Sequence, residues 1–297
     1  MLFGKPPPRA DLAVVQDPDS MTKLSITKSA LDMSRLSSNS SIEVHRLPIG
    51  RVRPFMESAD ASVIKQAKKY LQQAFDDLLA EDDGLARIVH QMKRLELQAV
   101  VFGGWARDRL MEMLFSREFP SRDIDLVAHG KMSVARALPD NSVLNHFGGF
   151  GLRTSRMHVD AWNLQDTFLI QRHRMSISFD VLPLTADYTA NSVVFKPSQF
   201  FMDPQIVDRG AVNAMMSGTL EFAADEVAQP LVQAARAVIL AVRLGFEPSS
   251  MVRSFVTAVC STKESQEAVA KGIRDFCPEP WADSASLLLK NIIKDLA

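Results

Sequence analysis

Aspartates at alternate positions are the first chemistry this sequence offers. In Arg122-Asp123-Ile124-Asp125-Leu126-Val127 two carboxylates alternate with apolar residues. On an extended strand, alternate side chains share a face. Asp123 and Asp125 then stand together on one side, while Ile124 and Leu126 enter a core. Two adjacent carboxylates repel, and a divalent cation converts that repulsion into binding. An all-oxygen donor set favours Mg²⁺, with Mn²⁺ as a substitute. His158-Val159-Asp160-Ala161-Trp162 repeats the pattern, with His158, Asp160 and Trp162 on one face. If its strand lies beside the first, Asp160 completes a three-carboxylate set. Such a set holds two metal ions about 3.5–4 Å apart and suits in-line phosphoryl or nucleotidyl transfer. A lone Asp-x-Asp also fits solvated surface aspartates; the second carboxylate strand argues against that reading.

A glycine pair precedes these strands. The apolar run Ala99-Val100-Val101-Phe102 ends at Gly103-Gly104, and the helix-like Trp105-Ala106-Arg107-Asp108-Arg109-Leu110 follows. Glycines at a strand-to-helix turn let backbone approach a ligand closely. The helix N-terminus beyond them offers free N–H groups and a partial positive charge, which suit a triphosphate. A tight turn with no ligand is the plainer alternative. Arg107 and Asp108, one helical turn on, read either as an exposed ion pair or as contacts to a nucleotide or acceptor strand.

The remaining elements must position these groups. Residues 1–58 contain the proline-rich Gly4–Asp11 and the serine-rich Ser34–Leu47, and read as a flexible N-terminal arm. Helical spacing begins near Ala61 and recurs in Leu85–Leu95. Strands are expected at Leu97–Phe102, Arg122–Ala128, Gly148–Thr154, Met157–Leu164, Ile177–Leu184 and Asn191–Pro197, and a short helix at Ser133–Leu138. After Met215 the helical period dominates. The organisation expected is an arm (1–58), a mixed head (59–210) and a helical neck (211–297).

Bulk composition narrows the function classes. Of 297 residues, 46% are hydrophobic and 23% charged, which is ordinary for a globular chain. A formal net charge of −1 excludes a broadly basic nucleic-acid coat, so any such contact is local. Cys260 and Cys277 lack metal-type spacing and read as reduced thiols. With no membrane-length apolar run and no signal-peptide core at the start, a cytoplasmic protein is expected.

With these residues placed, the chain resembles the DNA polymerase beta nucleotidyltransferase superfamily, in particular the head and neck of bacterial poly(A) polymerases and class II CCA-adding tRNA nucleotidyltransferases. The family motif, Gly-Gly-x-x-Arg-Asp and then Asp-x-Asp after a helix, stands here as GGWARD and DID. The segment 146–167 is similar to the family's third-carboxylate hairpin, and ADYTANSVVF to its Arg-Asp-Phe-Thr-Ile-Asn-Ala segment, placing Asp187 and Asn191 on its Asp and Asn. QPLVQAARAVILAVRLGF looks like the first neck helix.

The resemblance implies an α+β fold, a beta-polymerase-like head with a small mixed sheet followed by an all-helical neck. It implies a Mg²⁺-dependent enzyme with two ions, moving a nucleotide from an NTP, ATP among the candidates, to an RNA 3′ end such as that of tRNA. Asp123 and Asp125 would bind both ions and Asp160 the catalytic one. Gly103, Gly104, Arg107, Asp108, Asp187 and Asn191 would hold the nucleotide. The family's double arginine before the Asp-Phe-Thr segment is Thr185-Ala186 here, and Arg172 and Arg174 are the nearby cations able to replace it. In the neck, Ala228-Gln229 replaces an acidic pair, Val232 an arginine, and Arg236 is offset by one residue as a candidate base-edge contact. Choice of nucleotide therefore does not carry over. Two alternatives stay open: transfer to a protein or small molecule, as in toxin, resistance or signalling branches, and an inactive RNA-binding module.

Overall fold

The structure is a computed structural model that describes residues 43–47, 58–145 and 148–294. Nearly all of the arm expected over residues 1–58 lies outside the described residues. The described residues divide into two compact units, one within 46–227 and a second made of 228–294 with 43–45.

The short β1 (Val44–Arg46) stands at the boundary, and the first unit continues with helices α1 (Ala61–Glu81) and α2 (Asp83–Arg94). Then come β2 (Gln98–Phe102), α3 (Gly104–Phe115), β3 (Asp123–His129), β4 (Val143–Leu144), β5 (Phe150–Arg153) and β6 (His158–Asn163). The short α4 (Phe168–His173), β7 (Val193–Lys196), β8 (Gln205–Asp208) and α5 (Ala211–Ser217) complete the set used below. One seven-stranded sheet has the order β4-β5-β6-β3-β2-β7-β8. β3 and β6 run parallel; β2 is antiparallel to both β3 and β7, and β5 to β6.

The burial of β3 follows its sequence. Asp123 to Asp125 alternates, then Leu126, Val127 and Ala128 are all buried. A strand apolar at every position is covered on both faces, and β3 is the central strand. On one face, Phe195, Val101, Leu126 and Ala161 lie in a single register row. Helices α1 and α3 cover that row, with Phe75 edge-on to Trp105 at 5.9 Å and to Phe195 at 6.2 Å. Burying one such side chain is worth about 1.5–3 kcal/mol. On the other face, Val100, Val127, Leu164, Ile170, Phe179, Leu182 and Val194 form a buried cluster. Ile170 brings α4 onto it.

Two local expectations differ. Ile177–Leu184 is not a strand: its burial falls on Phe179, Leu182 and Pro183 while Ile177 is 52% exposed. That is a turn-like spacing, and Leu182–Thr185 forms a 3₁₀ turn with Pro183 inside it. Proline donates no ladder hydrogen bond, which rules out an interior strand position. The short helix at Ser133–Leu138 is also 3₁₀, over Val134–Ala137.

The hairpin β5–β6 is tied down from a distance. Asp82 caps α2, its Oδ1 accepting from the N–H groups of Gly84 (3.0 Å) and Leu85 (3.1 Å). Its Oδ2 accepts from Thr154 Oγ1 at 2.5 Å and from the Arg156 N–H at 3.0 Å, both in the β5–β6 turn. Burial pushes the Asp82 carboxyl up, but hydrogen bonds from Thr154, Leu85, Arg156 and Ser155 outweigh it and hold it below the usual value. A depressed carboxyl stabilises the fold above its unfolded pKa and loses that contribution as pH falls through its folded one. Asp82→Ala loses a cap and two further hydrogen bonds, and is expected to destabilise by about 2–4 kcal/mol. Urea unfolding measures this. The difference between native and variant should shrink as pH falls below about 4, and a difference constant to pH 2 would refute the assignment.

In the second unit, α6 (Pro230–Leu244), α7 (Ser250–Val259), α8 (Lys263–Phe276) and α9 (Glu279–Lys294) pack together. Gly272 lets α8 approach α6: a Cβ there would stand 3.2 Å from Ala235 Cβ. Cys260 and Cys277 are free and buried, and burial pushes the Cys260 thiol up to about 11. Among the described residues no helix is long and apolar enough to cross a membrane.

Candidate active site

The carboxylates sit where register brings four strands level. Asp125 pairs with Phe102 of β2 on one side and with Asp160 of β6 on the other. Asp160 in turn pairs with Gly151 of β5. Phe102, Asp125, Asp160 and Gly151 therefore form one row on one face. The next row on that face sets Asp123 beside His158. Neighbouring strands lie about 4.8 Å apart, so three carboxylates and one imidazole occupy a small square. Farther along the same face, Val127 and Trp162 join the buried cluster. Acidic groups thus occupy one end of a face whose other end is dry.

The glycine turn lies at the same end, because Phe102 precedes it and faces Asp125. Gly103 has φ +65° and ψ −116°, a backbone conformation that only glycine adopts readily. Its N–H donates to the Val193 carbonyl at 3.1 Å. No side chain caps the helix that starts at Gly104, which leaves its N-terminus suited to an anion.

Arg107 and Asp108 are not an exposed pair. They are 4% and 2% exposed. Arg107 Nε and Nη2 donate to Asp108 Oδ1 at 2.8 and 2.6 Å, and Nη1 donates to Asn191 Oδ1 at 2.6 Å. Asn191 Nδ2 donates to Asp187 Oδ1 at 2.8 Å, and Ser121 Oγ to Asp108 Oδ2 at 2.8 Å. One buried chain of polar contacts thus links the helix behind the glycines, the segment before β7 and the residue two before Asp123. Arg107 spends its fork inside this network because a buried guanidinium without partners is strongly disfavoured.

Asp160 leans toward β5. Its Oδ2 is 3.4 Å from His158 Nε2, an atom that is buried and makes no well-aligned hydrogen bond. Contact with Asp160 raises the His158 pKa, burial opposes the rise, and the charges of Asp160, Asp123 and Asp125 add to it. Among the described residues no group of three or more His, Cys, Asp or Glu converges as a metal-ligand set. The three predicted carboxylates share one face in two adjacent register rows. The donor chemistry itself, carboxylate oxygens on one face beside an anion-suited helix end, fits a hard divalent cation.

The remaining candidates are dispersed. Arg172 Nε donates to the buried Glu226 at 2.5 Å, with His173 at 3.5 Å and Arg46 at 3.4 Å from the same carboxylate. The Arg172 hydrogen bond and the charges of Arg172, His173 and Arg46 outweigh burial and hold Glu226 below the usual carboxyl range. Arg174 is exposed at the left-handed end of α4, φ +50°. Arg236 is exposed on α6 of the second unit. Trp162 is committed to packing, edge-on to Phe102 at 6.4 Å with Nε1 donating to Thr167 Oγ1 at 3.0 Å. Sequence reasoning missed Ser121, Asp82, Glu226 and Gly151. Of these only Gly151 left a signal, a glycine inside a predicted strand, which often marks a close approach.

The mixed-sheet and helical fold is similar to that of solved CCA-adding enzymes. A CCA-adding enzyme in complex with CTP superposes with TM-score 0.51 at 14% identity, over 77% of this chain and 54% of that one. An apo form of a CCA-adding enzyme gives 0.51 at 12% identity, over 78% and 53%. The chain spans about half the length of these enzymes. No protein-family model matches the sequence, and no curated protein matches it.

Proposed function

We propose that this chain is a divalent-cation-dependent nucleotidyltransferase that moves a nucleoside monophosphate from an NTP to the 3′ hydroxyl of an RNA, tRNA being the first acceptor to test. One observation carries the reading: register sets the Gly103 turn, Asp125 and Asp160 side by side at one end of a sheet, in a fold shared with CCA-adding enzymes.

In this reading Asp123, Asp125 and Asp160 hold Mg²⁺, or Mn²⁺ in its place. Bound there, two such ions would neutralise charge at the reacting phosphate and favour the alkoxide of the acceptor. Gly103 and the N–H groups opening α3 take the triphosphate. Arg107, Asp108, Asp187 and Asn191 act from beneath, holding the turn in its unusual conformation. Asp160 orients the acceptor oxygen. As that oxygen bonds to the α-phosphorus, the bond to the β-phosphate breaks, the hydroxyl proton passes to solvent and pyrophosphate leaves. Arg174 and Arg236, both exposed, are offered as contacts to the nucleotide or acceptor, and Arg172 through the Glu226 cluster. The head-and-neck division is part of the same proposal.

Incubation with each labelled NTP, Mg²⁺ and total RNA tests this. Label in RNA, lost on chelation, is expected. A second reading is transfer to a protein or small molecule. Label confined to protein or small molecules would select that one, and no transfer to any acceptor would favour an inactive binding module.

A further inference from the structure

Gly151 stands in the interior of β5, where glycine weakens a strand for want of side-chain packing. Its backbone is not in the left-handed region, so no turn demands it. The demand comes from its neighbours. A Cβ there would stand 3.2 Å from Asp160 Oδ1, 3.3 Å from His158 Nε2 and 3.4 Å from His158 Cε1. The bare backbone at Gly151 is the floor on which the carboxylate and the imidazole both rest.

His158 supplies the other side. Its Nε2 is buried and lies 3.4 Å from Asp160 Oδ2. Each carboxylate oxygen of Asp160 thus has a different neighbour, Oδ1 lying close over the Gly151 backbone and Oδ2 facing the imidazole. An aspartate on an open strand otherwise turns about two side-chain torsions.

We propose that Gly151 and His158 are positioning residues that orient the Asp160 carboxylate and thereby set how tightly the acidic face takes a divalent cation. The proposal rests on the nucleotidyltransferase reading. Neither residue need touch the nucleotide. Groups that orient ligating side chains typically change metal affinity or activity by about 10–100-fold when removed.

The test measures Mn²⁺ binding to the full chain by electron paramagnetic resonance, without nucleotide, alongside thermal unfolding. Gly151→Ala and His158→Leu should each weaken Mn²⁺ binding by about tenfold, with the unfolding midpoint close to native. His158→Gln, which keeps a donor near the same place, should recover much of the affinity. Affinity unchanged in both Gly151→Ala and His158→Leu, with the native chain binding Mn²⁺, would overturn this proposal and leave the nucleotidyltransferase reading standing. A native chain that binds no Mn²⁺ but still labels RNA overturns the proposal as well. Failure of the reading shows separately, as absence of transfer by the native chain. Equal loss in His158→Gln and His158→Leu, accompanied by a large drop in midpoint, would show a packing role and also overturn it.

Discussion

Asp125→Asn is expected to lower the rate of nucleotidyl transfer by about 10³-fold while leaving the fold intact or slightly firmer. The two effects have separate origins. Metal-assisted charge stabilisation is worth several kcal/mol, and about 4 kcal/mol corresponds to about 10³ in rate. Asp125 is the carboxylate with the most acidic company, paired with Asp160 of the adjacent β6 and two residues from Asp123 on its own face. Its amide would be nearly the same size but would neither bind a hard cation as strongly nor repel the other two. Like charges directly opposed across strands destabilise by roughly 0.2–1 kcal/mol. Removing one of them should therefore raise the unfolding midpoint slightly or leave it unchanged. Single-turnover kinetics with saturating NTP and a calorimetric scan measure the two quantities. A variant that kept most of its activity would remove Asp125 from the chemistry. One that lost activity together with several degrees of stability would make it a structural residue.

Arg107→Ala is expected to cost the first unit about 3–5 kcal/mol, since removing one partner of a buried pair strands the other. Asp108 would keep only Ser121 among the contacts described above, and Asn191 Oδ1 would lose its donor. For a unit of this size such a loss lowers the midpoint by about 10 °C. Arg107→Lys should restore little, because one ammonium cannot span Asp108 and Asn191 as the planar fork does. The pair of substitutions Arg107→Met with Asp108→Leu is the informative control. Replacing both charges by apolar groups of similar volume is often near neutral, so the double variant should be more stable than Arg107→Ala. Transfer activity should stay low in both, because the Gly103 turn loses its support. Urea unfolding of the single and double variants measures the coupling. A midpoint within about 1 °C of native in Arg107→Ala would show that the network does not hold the turn.

The Arg107 result bears on how far local pattern reaches. An Arg-Asp dipeptide one turn into a helix reads either as a surface pair or as contacts to a ligand, since adjacent charges on an isolated helix meet water. Its burial depends on Asn191, which is 84 residues away. Asp82 and Thr154 are likewise 72 residues apart. Neither partner leaves a mark near the other in the chain. Ile177–Leu184 shows the same limit from the opposite side: its alternation suits a strand, yet its apolar residues fill a cluster from a turn.

Elsewhere the residues spoke plainly. Alternation in β3 and β6, the glycine pair between β2 and α3, and the antiparallel β5–β6 hairpin were all readable, because side-chain period and glycine's backbone freedom are properties of a few consecutive residues. So were the mixed character of the chain and the helical run after Met215. The level at which Asp125 meets Asp160, the closeness of Gly151 to both Asp160 and His158, and the inward turn of Arg107 came from folding. They depend on which distant strand pairs with which, and at what offset. A shift of one residue would leave every local pattern intact and send the carboxylates to the opposite face.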